Sequence, residues 1–303
     1  MTRAQQHTSV LLQKVYQIVH QKLDPKVAPL AEEFIARLFS GMGSDDLANR
    51  SDSDLYGVGL GLWNTLNQTA TCDRHIKVYN PELSRHGWQS THTIIEIVVP
   101  DSPFLVDSIR MALGRSGINT HLLMHQPMRI ERGDNNQVLA LHNVKHEEIG
   151  NQTVFMIEID RQSDERALQH LSKELNTVLD DVSVVVNDWP AMLTKLKQVT
   201  ADLAASKGAK DDQLLAQSTA FLSWMADNNF TLMGYRHYSL KKVKGDLQLL
   251  PDDKGCLGLY REYQSDKVVS LSSYTHAGRE LATNSVPLVL NKSKRNPSNP
   301  RTP

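Results

Sequence analysis

The stretch that most constrains the fold runs from Val98 to Leu123 and has the sequence VVPDSPFLVDSIRMALGRSGINTHLL. The β-branched segment THTIIEIVVP, which leads into it, puts Ile95, Ile97 and Val99 on one face and predicts a strand. Apolar residues then recur at helical spacing as far as Gly117, a residue suited to the left-handed end of a helix. The stretch therefore predicts a strand, a sharp turn, a helix and a second strand.

The same signals continue to residue 189 and predict the order strand, helix, two or three strands, helix, strand. The closing strand of this series is predicted at VSVVVND, residues 182–188. Right-handed crossovers then give one antiparallel sheet with both helices on one face. The predicted fold class is α+β, a ferredoxin-like βαββαβ sandwich flanked by helical segments. Six residues are expected to be buried between its helices and sheet: Leu105, Ile109, Leu113, Leu168, Leu171 and Leu175.

The pattern along the chain predicts four segments. Residues 1–72 form an N-terminal helical segment of three amphipathic helices, the third capped by Asp52 or Ser53, and residues 73–189 form the sandwich. Residues 190–229 form a helical connector. Residues 230–303 begin a second, β-rich α+β domain that has no closing element, since its final NKSKRNPSNPRTP is polar and rich in proline.

Composition excludes several classes of partner. The chain has 33 Lys and Arg against 34 Asp and Glu, so no basic excess predicts binding to nucleic acid. Cys72 and Cys256, its two cysteines, exclude a disulfide framework and a cysteine-only zinc site, and they fit a reducing compartment. No segment suggests a signal peptide or a bilayer span. We therefore expect a cytoplasmic protein without a membrane partner.

The glycine-rich GVGLGLW, residues 57–63, superficially resembles a nucleotide-binding loop. A dinucleotide fingerprint needs a third glycine where Leu62 stands, and a strand before it. We interpret these glycines instead as positions where a helix packs closely. The sequence thus offers no residues for catalysis or for binding a cofactor.

Two pairs of histidines are spaced four apart, His121 with His125 and His142 with His146. Neither pair is expected on a helix, where that spacing would bring two imidazoles to one metal ion. We therefore predict no metal site.

The turn after Val99 remains the candidate binding site. Backbone N–H groups at a helix start favour a carboxylate or another anion. We expect Asp101 and Ser102 to line an effector site there, and Asn119 to reach the same end of the sheet from the next strand. The alternative is that Asp101 and Ser102 only cap the helix, with proline at its first position, while Phe104 fills the core.

The motif DSPFLVDSIRMALGRSGIN resembles an ACT domain, a small ligand-sensing module of amino-acid metabolism. ACT domains commonly have Asp-x-Pro-Gly-x-Leu at this corner and Gly-Ile-Asn at the second strand. The matching residues are Asp101, Pro103, Gly117, Ile118 and Asn119. Phe104 stands in place of the glycine. The resemblance implies an amino-acid effector.

A longer run is similar to the N-terminal region of the large NAD-specific glutamate dehydrogenases. It comprises VYNPELSRHGWQSTHTIIEIVVPDSPFLVDSIRMALGRSGINTHLLMHQPM and FLSWMADNNFTLMGYRHYSL, and the resemblance extends over residues 1–290. It implies a parent reaction, oxidative deamination of L-glutamate to 2-oxoglutarate with NAD. The catalytic region of the parent polypeptide would then be the partner of this chain.

The resemblance implies a regulatory and assembly role in a homo-oligomer, and a chain that is inactive alone and holds no cofactor. Two other hypotheses stay open. One is a free-standing amino-acid sensor that uses Asp101 and Asn119. The other is an oligomerisation module, in which sheets pair edge to edge or face to face.

Overall fold

The structure, a computed structural model, describes residues 3–71, 73–142, 144, 150–205, 212–261, 269–273, 275, 276, 279 and 290. It divides into two compact units, Met1–Leu179 and Asp180–Pro303. Cys72, His146 and the segment NKSKRNPSNPRTP lie outside the described residues.

The first unit begins with helices. Their bounds are α1 Arg3–Lys22, α2 Ala28–Ser40, α3 Ser44–Ala48 and α4 Asp52–Gln68. The three predicted helices are present, while the short α3 was not predicted. The cap of α4 is Ser51 and not Asp52 or Ser53, because the Ser51 hydroxyl accepts a hydrogen bond from the Asp54 N–H at 3.1 Å.

An antiparallel sheet follows, with helices inserted between its strands. The bounds are β1 His75–Tyr79, α5 Leu83–His86, β2 Thr93–Val99, α6 Leu105–Arg115, β3 Thr120–Arg132, β4 Val138–His142, β5 Gln152–Ile159 and α7 Glu165–Ala204. The spatial order of the five strands is β1-β2-β5-β3-β4. Every neighbouring pair is antiparallel. The chain is therefore of mixed α+β class, as predicted.

Both faces of the central strands are buried, since every residue of β2 and β5 is buried. On one face, Ile94 and Met156 join the same hydrophobic core as Phe34 of α2 and Leu62 of α4. The N-terminal helices thus supply the cover that the sheet requires. The side chains that alternate with these along the strands, such as that of Ile95, point to the other face and are equally buried there.

Helices α6 and α7 carry the predicted apolar stripes. Of the six residues expected in the interior, five are buried and Leu168 is half-buried. The α6 helix contacts β3, and the Ser116 hydroxyl at its end donates a 2.8 Å hydrogen bond to Glu174 of α7. The prediction of these helices as core elements is confirmed.

The predicted closing strand VSVVVND is wrong, because residues 182–188 lie inside α7. Val182 and Val185 are buried three residues apart and continue the stripe of Leu175 and Val178, so helical packing overrides the β-propensity of valine. The predicted ferredoxin-like strand order is accordingly not confirmed. The outer neighbour of β2 in the sheet is β1, and residues 182–188 contribute no strand. The helix also continues through Pro190, whereas the sequence suggested a boundary at 189–190.

The second unit contains the end of α7 and a smaller sheet. Its elements are α8 Asp212–Trp224, a helical turn Met225–Asn229, β6 Gly234–Val243, β7 Asp246–Gly258, a short helical turn Leu259–Arg261, β8 Val269–Ser270 and a second such turn Leu271–Ser273. The strand order is β6-β7-β8, all antiparallel. Although α7 has 40 residues, no helix of the described ranges is long and apolar enough to cross a bilayer.

Candidate functional site

The corner between β2 and α6 is built differently from the sequence prediction. Helix α6 begins at Leu105 with Phe104 as its N-cap, and no side chain caps its first turn. The predicted cap at Asp101 or Ser102, with Pro103 at the first helical position, is therefore wrong. The N–H groups at the start of α6 remain without a side-chain cap.

The Asp101 carboxylate faces β5 instead. It accepts a 2.7 Å hydrogen bond from the Gly150 N–H and a 2.5 Å bond from the Thr153 hydroxyl. The Asp101 N–H also donates to the Asn151 carbonyl at 3.4 Å. Asp101 thus fixes the corner to the start of β5, and both of its carboxylate oxygens are engaged.

Phe104 adopts the left-handed conformation, with φ +70°. This is the position at which the ACT motif has glycine, and a side chain there strains the backbone. The residue is 38% exposed, so the expectation that Phe104 fills the core is wrong. The backbone at Phe104 thus adopts the left-handed turn that suits glycine, while the phenyl side chain lies partly exposed at this corner.

A cleft of about 220 Å³ lies at this corner. The residues relevant to its chemistry are Asp101, Ser102, Phe104, Asp107, His125 and Phe155. The start of α6 lines it with N–H groups and the positive end of the helix dipole, which favour a carboxylate. The exposed Asp107 carboxylate can accept an ammonium group. The His125 ring packs on Phe155 with centroids 5.8 Å apart.

Asn119 does not reach this cleft. At the Asp101 end of the sheet, Val99 pairs with Thr153, whereas Thr120 pairs with Ile159 at the opposite end. Strand β5 also lies between β2 and β3. Six residues of strand, about 20 Å, therefore separate Asn119 from the corner. The expectation that Asn119 shares the end of the sheet with Asp101 is wrong, because β2 and β3 are both antiparallel to β5 and the end of β2 therefore lies opposite to the start of β3.

Asn119 belongs to a polar cluster at the other end of the sheet. Its side-chain amide and His121 Nε2 each lie 2.7 Å from an oxygen of Asp160, and the His92 ring packs against His121 at 4.4 Å. The bonds from His121 and Asn119 hold the pKa of Asp160 below its ordinary value. The sequence could not indicate this cluster, because its members are distant along the chain and only the strand register brings them together.

The glycines of GVGLGLW lie within α4, as interpreted from the sequence. A Cβ on Gly57 would stand 2.3 Å from Trp88, and one on Gly59 would stand 2.7 Å from Ile35. Close packing therefore requires these glycines. They form no turn between a strand and a helix, so the segment does not fit the pyrophosphate of NAD. The corner at Asp101 does not fit it either, because Phe104 occupies the space that a glycine turn would leave open.

The histidine pairs have separate surroundings. His121 contacts Asp160 and His92, whereas His125 packs on Phe155. His142 Nε2 lies 3.4 Å from Glu131. Within the part of the chain that the structure describes, no three His, Cys, Asp or Glu side chains group as a metal site requires.

Comparison with known proteins gives consistent matches. Residues 34–175 match the family described as glutamate dehydrogenase, ACT1 domain. The chain is 33% identical over 244 residues to the NAD-specific glutamate dehydrogenase of Pseudomonas aeruginosa, an alignment covering 80% of this chain and 15% of that protein. It is 29% identical over 254 residues to the enzyme of the same name from Halomonas elongata, covering 83% and 16% respectively. The chain therefore spans about a sixth of the length of these relatives.

Proposed function

Because the chain belongs to the NAD-specific glutamate dehydrogenase family, we propose that it is a non-catalytic regulatory and assembly region of such an enzyme. The parent reaction under this proposal is oxidative deamination of L-glutamate to 2-oxoglutarate with NAD. The partner of the chain is the catalytic region of the same polypeptide, in the reducing cytoplasm that its low cysteine content favours.

The observation that carries the proposal is the ACT1 match over the β2–α6 corner, where an uncapped helix start opens into a cleft. An amino acid offers two charged groups that suit it. Its carboxylate can accept from the first N–H groups of α6, and its ammonium can bind the exposed Asp107 carboxylate. Asp101 then serves as the support of the corner, because its oxygens are already engaged.

The test is calorimetric titration of the chain with a panel of L-amino acids. We expect one class to bind, with Asp107→Asn weakening it, and Phe104→Gly strengthening it by removing the ring from the cleft. The control is Asp202→Asn, an exposed carboxylate of α7. Absence of binding for the whole panel, in both the native chain and Phe104→Gly, would exclude the effector role.

A second observation supports assembly through the sheet edge. Strand β4 pairs only with residues 129–132 of β3, so within the described strands one edge of Thr120–Met128 has no partner. An open edge of this length is a template for another strand. We infer pairing through the edge and not face to face, because every residue of the two central strands is already buried within the chain.

The assembly role predicts an oligomer by mass measurement in solution. It also predicts that amide exchange over Thr120–Met128 slows as protein concentration rises, while exchange in α4 does not change. A monomer at every concentration would contradict self-association through this edge.

A further inference from the structure

A second cleft, of about 280 Å³, lies in the first unit between α1, α4 and the segment from β1 to Trp88. Its wall on α4 includes Gly57 and Gly61, two of the glycines of GVGLGLW. A side chain at Gly57 would collide with Trp88, so glycine lets that indole approach the helix and form one wall. The motif therefore shapes a cleft by close packing and not by a phosphate-binding turn.

The charge of this cleft is positive. Lys22 and Lys77 line it, and the described lining residues include no acid. Lys22 Nζ lies 4.9 Å from the centre of the Tyr56 ring, and Lys77 Nζ lies 4.1 Å from that of Tyr79. In the part of the chain described, neither lysine forms an ion pair with a carboxylate. Two ammonium groups are thus held on aromatic faces without an anionic partner.

His86 adds a directed donor. Its Nδ1 accepts a 3.1 Å hydrogen bond from the Glu82 N–H, so in the neutral ring the proton is on Nε2. Partial burial and the positive charges of Lys77 and Arg85 lower the pKa of His86, which favours that neutral form. Its Nε2–H is then a donor for an anionic oxygen.

One carboxylate, Glu96, lies behind this cleft and is the cross-strand partner of Lys77. Glu96 is buried behind Gly61, where it accepts hydrogen bonds from Tyr79 at 2.6 Å and Thr65 at 3.3 Å. Both of its oxygens are therefore engaged inside the core.

We propose that this cleft binds a small organic anion, whose carboxylate or phosphate lies between Lys22, Lys77 and His86. Its carbon skeleton packs on Tyr56 and Trp88, the aromatic walls of the same cleft. Lysine suits either group because it acts as a point charge with rotatable donors. The site is separate from the Asp101 corner and does not rest on the role proposed for the chain.

The experiment is calorimetric titration of the full chain with four probes. Succinate supplies carboxylates, glycerol 3-phosphate supplies a phosphate on a carbon skeleton, inorganic phosphate lacks the skeleton, and succinamide lacks the charge. We expect at least one organic anion to bind, inorganic phosphate to bind more weakly, and succinamide not to bind. Which organic anion binds identifies the group recognised.

Lys22→Met and Lys77→Met should each weaken binding by about tenfold or more, because each removes a charge-assisted contact but keeps the aliphatic stem. The matched control Lys26→Met, at an exposed position outside the cleft, should leave binding unchanged. If Lys77→Met fails to fold, binding by Lys22→Met, at an exposed position, tests the proposal. Absence of binding by both organic anions, binding undiminished in the lysine variants, or equally tight inorganic phosphate would overturn the proposal.

Discussion

Two residues around α6 have positive φ, and one of them is not glycine. Gly117, with φ +68°, ends the helix: its N–H donates to the Gly114 carbonyl and the Ile118 N–H donates to that of Leu113. This is the hydrogen-bond pattern of a Schellman motif, and it confirms the left-handed conformation expected from the sequence. Phe104 adopts the same conformation at the other end of α6 without the freedom of glycine.

Gly117→Val should destabilise the chain by at least about 1–2 kcal/mol, because a β-branched side chain is strained at this φ. No atom lies within 4 Å of the added Cβ, so the cost is conformational and not a clash. The measurement is the free energy of unfolding in urea. Gly114→Val, in open space on the same helix but without positive φ, is the control and should cost little. Equal midpoints for the native chain and Gly117→Val would contradict the assignment.

At Phe104 we expect the usual ranking of alanine and glycine to be reversed. Phe104→Gly should be more stable than Phe104→Ala by about 1 kcal/mol, because only glycine relieves the left-handed strain. Both variants remove the same ring, so their difference isolates the backbone contribution. Thermal denaturation of the pair measures it. A more stable alanine variant would show that the corner does not keep this conformation in solution.

Elements in the second unit are connected by a carboxylate of α7. Asp188 accepts from the Arg261 Nη2 at 2.8 Å and from the Gly258 N–H at 2.7 Å, and it also bonds the Arg261 Nε. The bonds from Arg261 and Gly258 outweigh the effect of burial and hold the pKa of Asp188 below its ordinary value. One side chain thus joins the helix to the end of β7.

This shift predicts a pH dependence. A carboxyl whose pKa is lower in the folded state stabilises the fold above its unfolded-state pKa, and this stabilisation is lost as the pH falls through the folded-state pKa. Asp188→Asn should therefore cost about 1–2 kcal/mol near neutral pH, and the difference from the native chain should shrink below about pH 4. Urea denaturation across this range measures it. The control Asp202→Asn, exposed on the same helix, should change the free energy of unfolding little at any pH. If the loss of stability in Asp188→Asn is the same at every pH, the linkage is excluded.

In the whole molecule, the first unit is held together by a core shared between helices and sheet. Val15 of α1, Phe34 of α2 and Leu62 of α4 belong to one hydrophobic cluster with Val98 and Met156 of the sheet. The sheet is therefore covered on both faces before any partner binds. Surfaces for regulation or assembly then lie at sheet edges and in clefts.

We predict that the purified chain neither reduces NAD in the presence of glutamate nor binds NAD measurably. A dinucleotide site needs a tight glycine turn between a strand and a helix, and neither α4 nor the β2–α6 corner supplies one. The near-ultraviolet absorbance of NADH and a titration with NAD test this. Saturable NAD binding that Asp101→Ala abolishes would overturn the non-catalytic proposal.

The sequence by itself determined the features that depend on neighbours along the chain. Helical periodicity predicted α1, α2, α4 and α6, and the β-branched run THTIIEIVVP predicted β2. The glycine at position 117 predicted a left-handed conformation there, because few other residues tolerate positive φ. The close packing of the α4 glycines could also be predicted. A nucleotide-binding loop needs a third glycine and a strand before the first one, and the sequence has neither at this position.

Only the tertiary structure decided the features that depend on residues distant in sequence. The valines at 182–186 favour a strand locally, but burial along one face of α7 makes them helical. Asp101 could have capped α6, yet Gly150 and Thr153 offered it two donors at the start of β5. Asn119 lies far from Asp101 because β2 and β3 run in the same direction beside β5, which puts the end of β2 and the start of β3 at opposite ends of the sheet. Register, partner choice and cleft shape arise from long-range packing, which local propensity does not encode.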